Sequence, residues 1–191
     1  MANPTVEIKR YIGGGRLYFT PYVDGAYGIE VEIGEVKDFS LSITPSTVEA
    51  IAQDDGEQVE VEDVVMKVVT ELSFSTQNLN KENRTMAYMG VQTTETFDIG
   101  DTLPDGTVAT ESTTIDKITG LENVNLRGKL RCVSAPINNS AEYPVLVVYM
   151  GSIRPKSSVG YILTDFAKLD FSGKVIKTDN GWFDEYLLPV A

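Results

Sequence analysis

Apolar and polar residues alternate with a period of two along much of this chain. In Lys37 to Thr44, K-D-F-S-L-S-I-T, the apolar Phe39, Leu41 and Ile43 are separated by Asp38, Ser40 and Ser42. Successive side chains of a strand point to opposite faces, so the pattern predicts a strand with one buried and one wet face. Asp63 to Ser75, D-V-V-M-K-V-V-T-E-L-S-F-S, repeats it at greater length. There Val64, Met66, Val68, Leu72 and Phe74 share one face, while Lys67, Glu71, Ser73 and Ser75 share the other. Fully extended, that second strand would span about 40 Å at roughly 3.3 Å per residue.

Further strands are predicted at Thr5 to Tyr11, Arg16 to Thr20, and Ile29 to Ile33 after a D-G-A-Y-G turn. Others fall at Asn123 to Val133, Val145 to Ile153, Tyr161 to Phe171 and near Val175. P-D-G at Pro104 to Gly106 and D-N-G at Asp179 to Gly181 are tight-turn signatures. One segment breaks the alternation. Asn80 to Met89, N-K-E-N-R-T-M-A-Y-M, holds good helix formers, with Asn80 placed as N-cap and Gly90 as C-cap. The expectation is one mainly-β domain over residues 1–191, an antiparallel sandwich or barrel with a single short flanking helix.

The connection between the two strongest strands, about 45–62, is expected to be an extended acidic loop. From Glu49 to Asp63 the acids are Glu49, Asp54, Asp55, Glu57, Glu60, Glu62 and Asp63, without one Lys or Arg. A two- to five-residue turn would suffice for a hairpin, and long loops in compact domains tend to carry function. D-D-G-E-Q-V-E-V-E-D lacks the ligand spacing of a calcium loop, so a solvated connection is preferred to a metal site.

Composition removes most chemistry. The formal charge is −12, from 28 acids against 16 bases, which argues against a protein that grips nucleic acid. Histidine is absent, so triads, Cys-His pairs and His-containing metal sites are excluded. The single cysteine, Cys132, can make no internal disulfide. Ser and Thr have no evident base to activate them, and nothing selects a glycosidase carboxylate pair. Gly13-Gly14-Gly15 leads into strand-like R-L-Y-F-T, not into a helix N-terminus, so the glycines are expected to join strands and to bind no phosphate. Neither an enzyme nor a cofactor site emerges.

Two smaller signals remain. R-G-K-L-R puts Arg127, Lys129 and Arg131 on one strand face. Three residues make a small nucleic-acid footprint, so pairing with acids in the subunit or across an interface is expected instead. Trp182, Phe183 and Tyr186 could be sugar platforms of a carbohydrate-binding sandwich, but packing on the core or at an interface is the simpler role. Met1 to Arg10 has no apolar run behind a basic start, and nowhere do 18 apolar residues run together. Neither a signal peptide nor a membrane-spanning segment is therefore expected.

The order of G-G-G-R-L-Y-F-T-P-Y, I-G-E-V-K-D-F-S-L-S-I-T, an acidic D-D-G stretch, D-V-V-M-K-V-V-T-E-L-S-F-S, a helix ending Y-M-G, L-R-G-K-L-R-C-V-S and F-S-G-K-V-I-K resembles the tail tube (major tail) proteins of long-tailed bacteriophages. That family is related to the tubes of contractile tails and of type VI secretion. The resemblance implies a subunit whose strands join those of its neighbours into one continuous β-barrel in hexameric rings. Stacked rings form the tube, through which DNA passes without specific binding. Implied partners are further copies of the chain, the tail tip or baseplate, the tape measure and the tail terminator. The implied location is the virion tail, assembled in the host cytoplasm. Carried over to this chain, Asp38, Ser40, Ser42, Lys67, Glu71, Ser73 and Ser75 become lumen candidates. Phe39, Leu41, Ile43, Val64, Met66, Val68, Leu72 and Phe74 become core, and Lys67 is expected to pair with Asp38 or Glu71. Glu49, Asp54, Asp55, Gly56 and Glu57 become candidates for contact with the next ring. Arg127, Lys129 and Arg131 become candidates for pairing between subunits. Other readings are a carbohydrate-binding module, or another virion part such as a head decoration or tail terminator protein.

Overall fold

A computed structural model describes residues 14–54, 57–135, 142–156, 159 and 167–190. The strands are β1 (Gly15–Val23), β2 (Ala26–Tyr27), β3 (Val31–Asp54), β4 (Glu57–Thr76), β5 (Val91–Phe97), β6 (Thr113–Thr119), β7 (Arg127–Ser134), β8 (Glu142–Pro155), β9 (Leu169–Val175) and β10 (Phe183–Pro189). One helix, α1 (Lys81–Ala87), follows β4. The protein is therefore mainly β, antiparallel and sandwich-like, with one short helix.

The main sheet runs β10-β8-β7-β1-β3-β4-β9, and β8 also pairs with β9. The pairings thus form a circuit, β1–β3–β4–β9–β8–β7 and back to β1. β8 closes it by pairing with β7 along one edge and, along the other, with β9 at Gly151 to Pro155, where β10 continues that second edge along Glu142 to Val148. β5 and β6 form a separate hairpin. Inside the circuit the inward residues of each strand meet. Leu17, Phe19, Ile33, Leu72, Phe74, Leu130, Val148, Ile153 and Phe171 are all buried. Phe74 stacks on Phe171 at 5.0 Å between centroids, and Phe39 stands 6.4 Å beyond it.

The short helix is held by its ends and by one buried side chain. Asn80 Oδ1 accepts from the Asn83 N–H at 2.7 Å, the expected N-cap. The C-terminal end closes two residues earlier than expected, with Tyr88 as C-cap. Met89 takes the left-handed position (φ 46°), and the amides of Met89 and Gly90 donate to Met86 O and Thr85 O. Glycine is needed at 90 for room instead, because a Cβ there would lie 2.5 Å from Thr119 O. Asn83 is fully buried and donates to Ile33 O (2.9 Å) and Asn78 O (2.8 Å), tying the helix to β3.

Three sequence expectations change. The stretch 45–62 is not a loop: β3 runs unbroken to Asp54 and β4 resumes at Glu57. Its acids are the polar positions of two more strand segments, as the alternation in E-Q-V-E-V-E-D-V already has it. The buried set is also shorter than expected. Leu72 and Phe74 are core and Phe39 and Leu41 pack against it, but Ile43, Met66 and Val68 are exposed. They lie on β3 and β4 beyond the last flanking strand, where none of the described residues covers them. Finally, β2, β5, β6 and β10 were not expected as strands. The strand read at Thr5 to Tyr11 and the side chain of Val64 lie outside the described residues, as does most of Tyr161 to Phe171, of which only the end enters β9.

Candidate assembly surface

The register across β3, β4, β9 and β8 lines polar residues up in rows. Ser42 stands opposite Glu71, Glu71 opposite Lys174, and Lys174 opposite Ser152. Two residues along, the row is Ser40, Ser73, Ser172 and Arg154. A third row joins Lys37, Ser75 and Asp170, and the Lys156 amide donates to Asp170 O at 2.8 Å. Alternate residues of these strands, Leu72, Phe171, Val175 and Ile153, are buried, so the rows form the outer face. Ser40 and Ser73 share a hydrogen bond at 2.8 Å between hydroxyls, and Ser75 donates to Lys37 O at 3.2 Å. The rows border a shallow groove of about 620 Å³.

Of the seven lumen candidates, five fall in these rows: Ser40, Ser42, Glu71, Ser73 and Ser75. Lys67 lies further out, opposite Ser46, and makes no ion pair with Asp38 or Glu71. Asp38 sits at a bulge, where Asp38 and Phe39 together oppose Phe74. Its φ of 56° lies in the left-handed region, which Asp tolerates better than most residues. The sequence reading missed Arg154, Lys156 and Lys174, which make the β8–β9 half of the face cationic. Their signal is the same alternation, Ser152-Arg154-Lys156 and Ser172-Lys174, carried into two further strands.

Above the rows β3 and β4 leave the body as a two-stranded ribbon. β1 pairs with β3 only along Val31 to Val36, and β9 pairs with β4 only along Glu71 to Thr76. Among the described residues the outer edges of β3 from Lys37 and of β4 before Glu71 have no strand neighbour. The core-facing row continues outward as the pairs Ile43–Thr70, Pro45–Val68 and Thr47–Val65, with Met66 bulged beside them. Ile43 (53%), Val65 (55%), Met66 (68%) and Val68 (38%) are left exposed there. Of the inter-ring candidates, Glu49 pairs with Asp63, and Asp54 with Glu57, at the far end of the ribbon. Asp55 and Gly56 lie outside the described residues.

The basic stripe occupies the outer face of β7. Arg131 makes a two-pronged contact with Glu30, Nη2 to Oε1 at 2.5 Å and Nε to Oε2 at 3.1 Å, and its guanidinium lies 4.1 Å from the Tyr18 ring centroid. The hydrogen bond from Arg131 holds the Glu30 carboxyl below its ordinary value. Arg131 thus finds a partner inside the subunit, and Arg127 remains exposed. Cys132 points inward, and burial pushes its thiol up to about 11, which keeps it neutral.

Trp182 and Phe183 pack against the core, and Tyr186 donates to Asp184 at 3.2 Å. Tyr149, on β8, donates to the same carboxylate, which pins β10 to β8. Of the three, Trp182 and Phe183 are half-buried and Tyr186 is exposed. Among the described residues no cluster of three or more Cys, Asp or Glu is placed to hold a metal ion. No helix among them is long and apolar enough to cross a membrane. No model of a known protein family matches the chain, and no curated protein is similar to it.

Proposed function

We propose that this chain is a structural subunit that polymerises through its β3–β4 ribbon, as the tail tube proteins of long-tailed bacteriophages do. The observation that carries this reading is the ribbon itself. Among the described residues it has open hydrogen-bonding groups along both edges and an uncovered apolar row on one face. Exposed strand edges are an aggregation hazard unless they are paired, and an isolated two-stranded hairpin is at best marginally stable in water. Pairing each edge with the ribbon of a neighbour satisfies both and buries the apolar row. Repeated around a ring, it closes a larger barrel with no edge left over.

On this reading Ser40, Ser42, Ser73, Ser75 and Glu71 contribute short polar side chains to the conduit wall. Such groups offer a polyanion little to hold, so DNA slides past. The subunit catalyses nothing and needs no cofactor. Its partners are copies of itself in hexameric rings, together with the tip, tape measure and terminator components of a tail.

The test is electron microscopy of the purified chain over a range of concentrations, with and without seeding by tail-tip complexes. Hollow tubes with a regular axial repeat are expected. Compact monomers under every condition would end the tube reading.

A further inference from the structure

We infer that residues 6–13 lie along the outer edge of β3 in the free subunit, as a latch that a neighbouring copy must displace. The placement concerns one copy alone; the displacement rests on the self-assembly in the reading above.

β1 begins where the edge of β3 loses its neighbour. The two run antiparallel in the register Gly15–Val36, Arg16–Glu35 and Leu17–Gly34, so each residue before Gly15 meets one after Val36. Among the described residues the outer edge of β3 is open from Lys37 onward. Gly14 is still bonded on the β7 side, where its carbonyl accepts from the Ala135 amide at 3.0 Å. A groove of about 870 Å³ opens at the junction, bordered by Gly14, Gly15, Lys37, Asp38, Phe39 and Ser134. β1 continued backward from Gly14 would run along that open edge.

Carried on without a shift, the register sets Ile12 opposite Phe39, Ile8 opposite Ile43 and Val6 opposite Pro45. At the alternate positions it sets Tyr11 opposite Ser40, Lys9 opposite Ser42 and Glu7 opposite Thr44. Residues directly opposite share a face of the sheet. The apolar positions of the segment therefore fall on the face of the exposed Ile43, and its polar positions on the serine face. Arg10, opposite Leu41, is the exception. A slip of one residue would exchange the two faces, which is how an alternating pattern selects its register. The bulge at Asp38, with its left-handed φ of 56°, comes opposite Gly13. Glycine accepts the backbone that a matching irregularity demands, which gives the run ahead of Arg16 a use at this position.

Length and charge agree with this placement. Lys37 to Pro45 spans about 30 Å at roughly 3.4 Å per residue, and residues 6–14 match it one for one. Pro45 has no N–H to give a further partner, so the pairing stops there. The segment is net basic, Lys9 and Arg10 against Glu7, in a chain of formal charge −12. Pairing within one molecule also proceeds at a high effective concentration, whereas a neighbour's ribbon arrives only as the protein is concentrated. The free subunit then has its β3 edge closed, while among the described residues its β4 edge before Glu71 stays open. A β4 edge that meets a closed β3 edge finds no groups to pair with until the segment leaves.

The test starts from the dilute full-length chain, with hydrogen exchange read by mass spectrometry. Peptides covering residues 37–44 should be protected to the same degree at every dilution. Two variants open the latch: a chain lacking residues 2–12, and a full-length chain with Ile8→Pro and Tyr11→Pro, which keeps the length and the charge. In both, the outward amides of 37–44 should exchange at least about 10-fold faster, because a strand edge without a partner is open to water. Exchange in β7 and β8 should stay as in the parent, which also verifies that the body has folded. A synthetic peptide of residues 2–13 should restore protection to the shortened chain. Sedimenting material should appear at a concentration at least about 10-fold lower for both variants than for the parent, and the peptide should raise it again.

Equal exchange of 37–44 in the parent and both variants would overturn the latch, whatever the chains do on concentration. Protection that appears only as the protein is concentrated would put the segment on another copy and overturn its placement within one. Variants that associate less readily than the parent would overturn the latch too, because the segment would then assist assembly. The self-assembly reading fails separately. An exchange difference in chains that never associate keeps the segment on its edge and removes the displacement by a neighbour, whereas association without an exchange difference keeps the assembly and removes the latch.

Discussion

The apolar row beyond the core gives the most direct test of whether the ribbon is an interface. Ile43, Val65 and Val68 are β-branched, so replacing all three by Thr keeps their strand preference and approximate shape. In the isolated subunit these side chains are roughly 40 to 55% exposed, so little packing is lost. Each change should alter monomer stability by no more than about 0.5 kcal/mol. In the assembly the case is different. Fully burying such a side chain is worth about 1.5–3 kcal/mol, and about half of that remains to be gained at each position, or roughly 1 kcal/mol apiece. The three together supply about 3 kcal/mol to each contact, equivalent to about two decades in association constant. Burying a hydroxyl without a partner adds about 1–3 kcal/mol of penalty at each site, so two decades is a lower bound. The assay is the concentration at which sedimenting material first appears, with a thermal melt of dilute protein as the control on folding. A variant that melts like the parent and associates within about threefold of it would refute the argument, because the row would then stay wet in the assembled state.

Other expectations concern the subunit. A Cβ on Gly128 would lie 2.2 Å from Thr20 O and 2.5 Å from the Phe19 ring, so Gly128→Ala should cost about 3 kcal/mol or more and yield little soluble protein. Asn83→Ala removes two buried donations and leaves a cavity, for a loss of about 2–4 kcal/mol. Thermal melts should show Asn83→Asp to be worse, because a carboxylate presents only acceptors to the carbonyls of Ile33 and Asn78. Glu30 is held below its ordinary value of 4.5, so the unfolded chain binds more protons there and the pair's stabilisation is present above that value. It should fade as the pH falls through the lower folded-state value, and Arg131→Gln should flatten this part of a urea-midpoint profile by less than about 1 kcal/mol, given how exposed the pair is. Cys132, neutral and buried, should resist a thiol reagent at pH 8 until the protein unfolds.

What could be read from the sequence was local. The alternation in Lys37 to Thr44 and Asp63 to Ser75 located two strands, and Asn80 located the start of the helix, because both signals come from neighbours along the chain. The circuit of pairings was not legible. β1 meets β7, and β8 meets β9, over separations that no local pattern encodes. The ribbon was taken for a loop because acidity was weighed above alternation, although Glu60 and Glu62 alternate with Val59 and Val61 as strand residues do. The edge of the core was illegible for another reason. Leu72 and Met66 occupy equivalent places in one pattern, yet only the first has β9 beside it to complete its burial. Lys174 and Arg154 were missed because they join the serines of β3 and β4 only through β9, itself not a strand that the sequence delimits well.

The charge distribution bears on how a chain with open edges could remain dispersed. An exposed ribbon with an apolar row would ordinarily pair with any ribbon it met, edge to edge and in no fixed register. Here two such ribbons meeting tip to tip bring together two ends of one sign, on subunits that each carry −12. That repulsion acts over about a Debye length, roughly 8 Å in physiological salt, so it opposes the approach before any strand can pair. The same charges would then suppress the unordered pairing that the open edges invite, and leave burial of Ile43, Val65 and Val68 to an ordered contact between copies.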